Sequence, residues 1–117
     1  MFKRVVFISL PMNGLSDEIT KANIQRAKDA YLAITKLDIT QVAFIDNFGC
    51  ISPFDPEVSK NSNRIWCLGN ALKRLASCDE AFFWLGWQNS TGCIIEHNVC
   101  FYYDIPVITV EKENYYG

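Results

Sequence analysis

The stretch "AFFWLGWQNSTGCIIEHNVC", Ala81 to Cys100, sets the reading of the chain. An apolar run, "EAFFWL" with the preceding Glu80, stops at Gly86 and gives way to small polar residues. It resumes as a helical segment, Cys93 to about Tyr103, with Ile95, Val99 and Tyr102 on one face. Strand, polar loop and helix in immediate succession form one half of a strand–helix–strand unit. "PVITV", Pro106 to Val110, supplies the closing strand, with Pro106 at its first residue, where a missing N–H is tolerated.

The same alternation runs backwards to the start. "RVVFIS", Arg4 to Ser9, is short, β-branched and almost wholly apolar, as suits a central parallel strand buried on both faces. A Pro and an Asn-Gly pair follow, then Ser16 as an N-cap with Asp17 and Glu18 in the first turn. Ile24, Ala27, Tyr31 and Ile34 recur at helical spacing, predicting an amphipathic helix from about Asp17 to Thr35. "QVAFID", Gln41 to Asp46, is the second strand. Asn47 to Asn63, with two prolines, reads as a long loop in which Ser52, Asp55 and Glu57 have no assigned role. Ile65, Leu68, Leu72 and Leu75 mark a second helix ending near Ser77. The whole predicts one α/β domain: about four parallel strands with helices on both faces in three layers. Ligands of such sheets bind beyond the carboxyl ends of the strands, where strand order reverses. The loops expected there are Ser9–Gly14, Asp46–Pro53 and Gly86–Gly92.

With 117 residues, 50% of them hydrophobic, the chain is long enough for a substantial core. A formal net charge of −2 without a Lys/Arg block argues against binding a nucleic-acid polymer. The apolar run Val5 to Leu10 is too short for a signal peptide, and nothing approaches the roughly 18 apolar residues of a membrane span. A cytoplasmic protein is expected. Five cysteines (Cys50, Cys67, Cys78, Cys93, Cys100) without a C-x-x-C pair argue against a disulfide framework and a zinc ribbon, leaving free buried thiols as the expectation. His97 is the only histidine, so no His-rich metal site is expected. It stands four residues after Cys93, a spacing that lets the two touch on a helix.

Two carboxylates frame the opening stretch. Asp79 precedes the third strand, and Glu96 stands about one turn into the third helix, where the helix dipole favours the anion. Glu96 would then be ionised near neutral pH, the state a carboxylate nucleophile needs. A second carboxyl group, Asp79, would protonate a leaving group, as in two-carboxylate glycoside hydrolysis.

"FISLPMNG", "CDEAFFWLGWQNSTGCIIEH" and "DIPVITV", in this order across nearly the whole chain, resemble the nucleoside 2-deoxyribosyltransferase-like superfamily, and most of all its small bacterial and phage members. The most specific part is Gly92-x-x-x-Glu96. The resemblance implies a flavodoxin- or Rossmann-like fold, no metal and no organic cofactor. It implies that Glu96 attacks the anomeric carbon of a nucleoside or nucleotide, that Asp79 handles protons or positions the base, and that Ser9, Pro11, Met12 and Gly14 lie along sugar and base. Read from the residues alone, Trp87 is a large ring beside Gly86 in the loop after the third strand, placed either to stack on a nucleobase or to fold over the domain edge or a subunit interface. Ser90, six residues before the Glu, stands where nucleoside-specific members carry Asp and monophosphate-cleaving ones Ser. With Gly92 it suggests a 5′-phosphate site, since hydroxyls, backbone N–H groups and a helix N-terminus attract phosphate.

Two departures are notable. Asn98 replaces a small residue two positions after the Glu and would narrow the pocket or reach into it. Leu10 takes up room in the first loop. N-glycosidic cleavage or deoxyribosyl transfer is therefore one expectation, and the alternative is a phage-associated sensor or sequestering protein that binds a nucleotide-derived ligand without cleaving it. A thiol protein using Cys93 and His97 is a third. The aromatic tail, Tyr115 and Tyr116, suggests a homo-oligomer by the same resemblance.

Overall fold

The computed structural model describes residues 3–54 and 62–112. Strand and helix alternate as β1 Arg4–Ser9, α1 Asp17–Thr35, β2 Val42–Ile45, α2 Ser62–Leu75, β3 Glu80–Phe83, α3 Thr91–Tyr102 and β4 Val107–Thr109. The strands form one parallel sheet in the order β2-β1-β3-β4. The chain thus leaves β1 to one side for β2 and returns on the other for β3. The switch point lies between β1 and β3, whose register sets Ser9 opposite Phe83.

Alternation along the strands sorts the core into two halves. Val6, Ile8, Phe82 and Trp84 pack with Ile24, Ala27, Ala30 and Tyr31 of α1. Phe7, Ala81 and Phe83 pack with Ala71 and Leu75 of α2 and with Cys93 and Cys100 of α3. So α1 covers one face and α2 with α3 the other, giving the three-layer α/β fold. Apolar residues on both sides of the inner strands explain their continuous apolar runs.

Local chemistry fixes the boundaries. Ser16 caps α1 by accepting from Ile19 N–H, and Lys36 ends it in the left-handed region (φ 63°) with its N–H on Leu32 O. At the amino end of the sheet, the fully buried Tyr31 meets Phe44 and Phe82 edge-on and donates its hydroxyl proton to Glu80. Arg4 donates to that hydroxyl at 3.3 Å. Burial, then the Glu80 bond, pushes the Tyr31 phenol up to about 12.

Several boundaries differ from the sequence reading: β2 and β4 are each shorter by one residue at both ends, and α2 ends at Leu75. β3 ends at Phe83, although Trp84 N–H still reaches Ser9 O at 2.9 Å. Both α2 and α3 start earlier than their apolar spacing indicates, at Ser62 and Thr91, because polar residues make up their first turns. The free-thiol expectation is corrected for two of the five cysteines: Cys50 and Cys67 form a disulfide, with Cα atoms 5.9 Å apart. Cys50 follows the Gly49 turn (φ 80°) and Cys67 sits in the second turn of α2, so the pair arises from loop folding rather than from a spacing motif. Polar contacts reinforce the tether: Asn47 donates to Cys67 O at 2.8 Å, Asn70 to Asn47 at 2.8 Å, and Ser52 N–H to Asn63 at 2.6 Å. Asp55, Glu57, Tyr115 and Tyr116 lie outside the described residues.

Among the described residues, no helix is long and apolar enough to cross a membrane, and no group of three or more His, Cys, Asp or Glu could hold a metal ion.

Candidate functional site at the carboxyl end of the sheet

Glu96 is the one buried carboxylate among the described residues, 8% exposed. It lies on the inner side of α3, at the carboxyl end of the sheet. β1 delivers Ser9 (2% exposed) to the same point, and Ser9 Oγ donates to Glu96 Oε1 at 2.6 Å. The bond is charge-assisted whenever Glu96 is ionised. Backbone pairing holds Ser9 in place through its carbonyl, which accepts from Trp84 N–H.

Burial raises the Glu96 carboxyl to about 7, with the Ser9 bond opposing the rise. The expectation that the helix dipole keeps Glu96 ionised at neutral pH is therefore corrected. Glu96 is the sixth residue of α3, beyond the first turn to which the dipole effect is confined, and desolvation dominates. A carboxyl group titrating near 7 supplies acid and base forms in comparable amounts at neutral pH.

Asp79 lies elsewhere. It precedes β3 at the amino end of the sheet, where its Oδ2 accepts from Val5 N–H at 2.8 Å and its own N–H donates to Val5 O at 2.8 Å. Four residues of strand, about 13 Å, separate it from Phe83 at the site end. The structure does not bring the two carboxylates together, and Asp79 closes the β1–β3 ladder instead.

The other candidate residues divide between site and scaffold. Pro11 and Gly86 meet where the loops after β1 and β3 converge: a Cβ on Gly86 would stand 3.3 Å from Pro11 Cγ, and Gly86 has φ +84°. Met12 packs against the α1-side core, and Gly14 (φ +78°) lies in the turn closed by Leu15 N–H to Met12 O at 3.2 Å. Ser90 is the N-cap of α3, accepting from Cys93 N–H at 3.4 Å, and Gly92 has open space where a Cβ would stand. Trp87 stacks on His97 with ring centroids 4.5 Å apart and packs against Phe83, so one indole face is already covered. Its Nε1–H is buried without a hydrogen-bond partner. Asn98 is exposed, two residues round the helix from Glu96, and faces away from Ser9 rather than into the site.

The thiol alternative finds little support in this geometry. His97 lies between Trp87 and Phe83, and burial pushes the Cys93 thiol up. A thiolate there is disfavoured.

Glu96 lines neither of two cavities in the fold. One of about 290 Å³ lies on the α1 side of the switch point, lined by Leu10, Pro11, Trp84 and Leu85 with Asn23 and Arg26 of α1. The Arg26 guanidinium sits over the Trp84 ring, 5.7 Å from its centroid. The other, about 330 Å³, lies between α3 and β4 beside His97, Cys100 and Phe101. Sequence reading missed the Ser9–Glu96 bond. Its one signal was a lone hydroxyl ending an otherwise apolar strand, where a buried polar group requires a partner. Comparison with protein-family models, curated proteins and solved structures gives no match.

Proposed function

We propose that the protein cleaves or transfers the N-glycosidic bond of a nucleotide or nucleoside through a covalent Glu96 ester, with 5′-monophosphates favoured. The observation that carries this reading is a buried carboxylate held by Ser9 at the switch point of a parallel sheet. Glu96 Oε2 attacks the anomeric carbon as the bond to the base nitrogen breaks, and the electron pair leaves with the base, which takes a proton from water. In the second step, water or another base displaces Glu96 and the carboxylate is regenerated. Ser9 orients the carboxylate, and Ser90 with the N–H groups of the first α3 turn receives the phosphate. Asp79 has no part in these steps. The protein acts as a homo-oligomer in this reading.

A second reading, binding of a nucleotide-derived ligand without cleavage, is favoured by the cavity beside Trp84 and Arg26, which Glu96 does not line. Chromatography of released base from a panel of 5′-monophosphates and nucleosides separates the two. Release by wild type and not by Glu96→Gln supports the enzyme. No release from any of them, with equal nucleotide-dependent thermal stabilisation in both proteins, supports the binder.

A further inference from the structure

Between Arg74 and Lys112 the sequence holds no Lys or Arg, although Asp79, Glu80, Glu96, Asp104 and Glu111 fall within that span. α3 and its connection to β4 therefore carry negative charge with no Lys or Arg of their own. Three of these carboxylates are engaged: Asp79 by Val5 N–H, Glu80 by Tyr31 and Arg4, and Glu96 by Ser9. Asp104 has no hydrogen-bond or ion-pair partner among the described residues.

Asp104 stands where glycine is usual. It follows the last residues of α3 in the left-handed region (φ 57°), between Tyr103 N–H on Val99 O and Ile105 N–H on Cys100 O, both at 2.9 Å. Asp tolerates that conformation better than most side chains, and it brings a carboxylate that glycine lacks. The carboxyl terminus of α3 adds the negative end of the helix dipole. Its last turn contains no basic residue, whereas that of α2 contains Lys73 and Arg74.

The cavity of about 330 Å³ between α3 and β4 opens beside this carboxylate, which is part of its lining. Ile105 and Val107 give it an apolar wall, His97 adds an imidazole, and Phe101, 73% exposed, supplies an aromatic ring at the rim. We propose that this cavity binds a small organic ammonium ion with an apolar body, the cation held by Asp104 and the Phe101 ring. A carboxylate and an aromatic face attract the same cation, the first by its charge and the second by its quadrupole. The apolar wall takes the rest of the molecule. At roughly 30 Å³ per heavy atom, the share of a water molecule in the liquid, the cavity holds about ten, the size of a phenylalkylamine. Glu96 does not line it, so the inference does not rest on glycosidic chemistry.

Amide NMR titration of the intact chain with phenethylamine at neutral pH tests this, beside phenethyl alcohol as the uncharged counterpart and phenylacetate as the anionic one. The amine is expected to bind about tenfold more tightly than the alcohol, and phenylacetate more weakly than either, with shifts centred on His97 to Val107. Asp104→Asn keeps the shape of the side chain and tolerates the left-handed backbone, and it should lose the preference for the amine. Asp104→Gly should melt no lower than wild type, because glycine suits that backbone, and should lose the preference as well. Equal affinity for amine and alcohol overturns the proposal, as do an absence of amine-dependent shifts, wild-type preference in Asp104→Asn, or shifts centred elsewhere in the protein. Every readout is of binding, so the outcome is independent of the base-release assay.

Discussion

Replacing Glu96 with Gln should stabilise the protein, and only at high pH. The carboxyl group stands at about 7 in the folded chain against an ordinary 4.5. The folded state therefore binds the Glu96 proton more tightly than the unfolded state does. Between those two values the folded chain holds more protons, so stability falls as pH rises through the window. Below about pH 4.5 both states are protonated and the penalty is absent. Above about pH 7 it is complete, at about 3 kcal/mol from about 1.4 kcal/mol per pH unit. Gln has nearly the same shape, can accept the Ser9 hydrogen bond and carries no charge. Urea denaturation of both proteins at pH 5 and pH 8 measures the difference, since contributions from all other groups cancel between them. The variant should gain about 3 kcal/mol at pH 8, equivalent in a separate thermal melt to a Tm rise on the order of 10 °C, and little at pH 5. An equal difference at the two pH values would refute the reasoning, because it would mean that Glu96 keeps an ordinary titration and that burial does not govern it.

Other outcomes follow from neighbouring contacts. Ser9→Ala removes the bond that opposes the rise in Glu96, so the pH–rate profile should move upward and base release at neutral pH fall about tenfold. Asp79→Ala should cost about 1 kcal/mol of stability in a denaturant melt through the lost Val5 bond, with the rate of base release unchanged. Ser90→Asp keeps a good N-cap but sets a carboxylate against the phosphate, and competition kinetics should show preference turning from monophosphate to nucleoside. Cys50→Ser opens a bond spanning 17 residues and should lower unfolding free energy by about 3 kcal/mol, with a matching loss when wild type is reduced.

The fold was legible because its signals are local. Apolar β-branched runs marked strands buried on both faces, and Ser16 with its acidic neighbours marked the start of α1. Strand direction also held information that the pairing of Glu96 with Asp79 overlooked. A residue just before a parallel strand lies at the amino end of the sheet, and one in the second turn of the following helix lies near the carboxyl end. The protonation of Glu96 was not legible in this way, because desolvation depends on what α3, β1 and β3 jointly exclude from water. Neither was the Cys50–Cys67 bond, which depends on where a turn carries one residue against a helix. Trp87 illustrates a third limit: a large ring after a glycine looked available for stacking, but His97, ten residues later, covers one face.

Pairing between β1 and β3 continues one residue beyond the end of β3, through Trp84 N–H on Ser9 O. The partner of Glu96 is thereby chosen by strand register. Were β1 to slip by one position against β3, an isoleucine or a leucine, Ile8 or Leu10, would face the carboxylate in place of the hydroxyl, because side chains alternate between faces. A misaligned sheet would then leave Glu96 buried beside a hydrocarbon, with no group to offset its desolvation. The polar contact that prepares the carboxylate for chemistry thus also penalises wrong strand alignments during folding, so the site takes part in selecting the sheet that displays it.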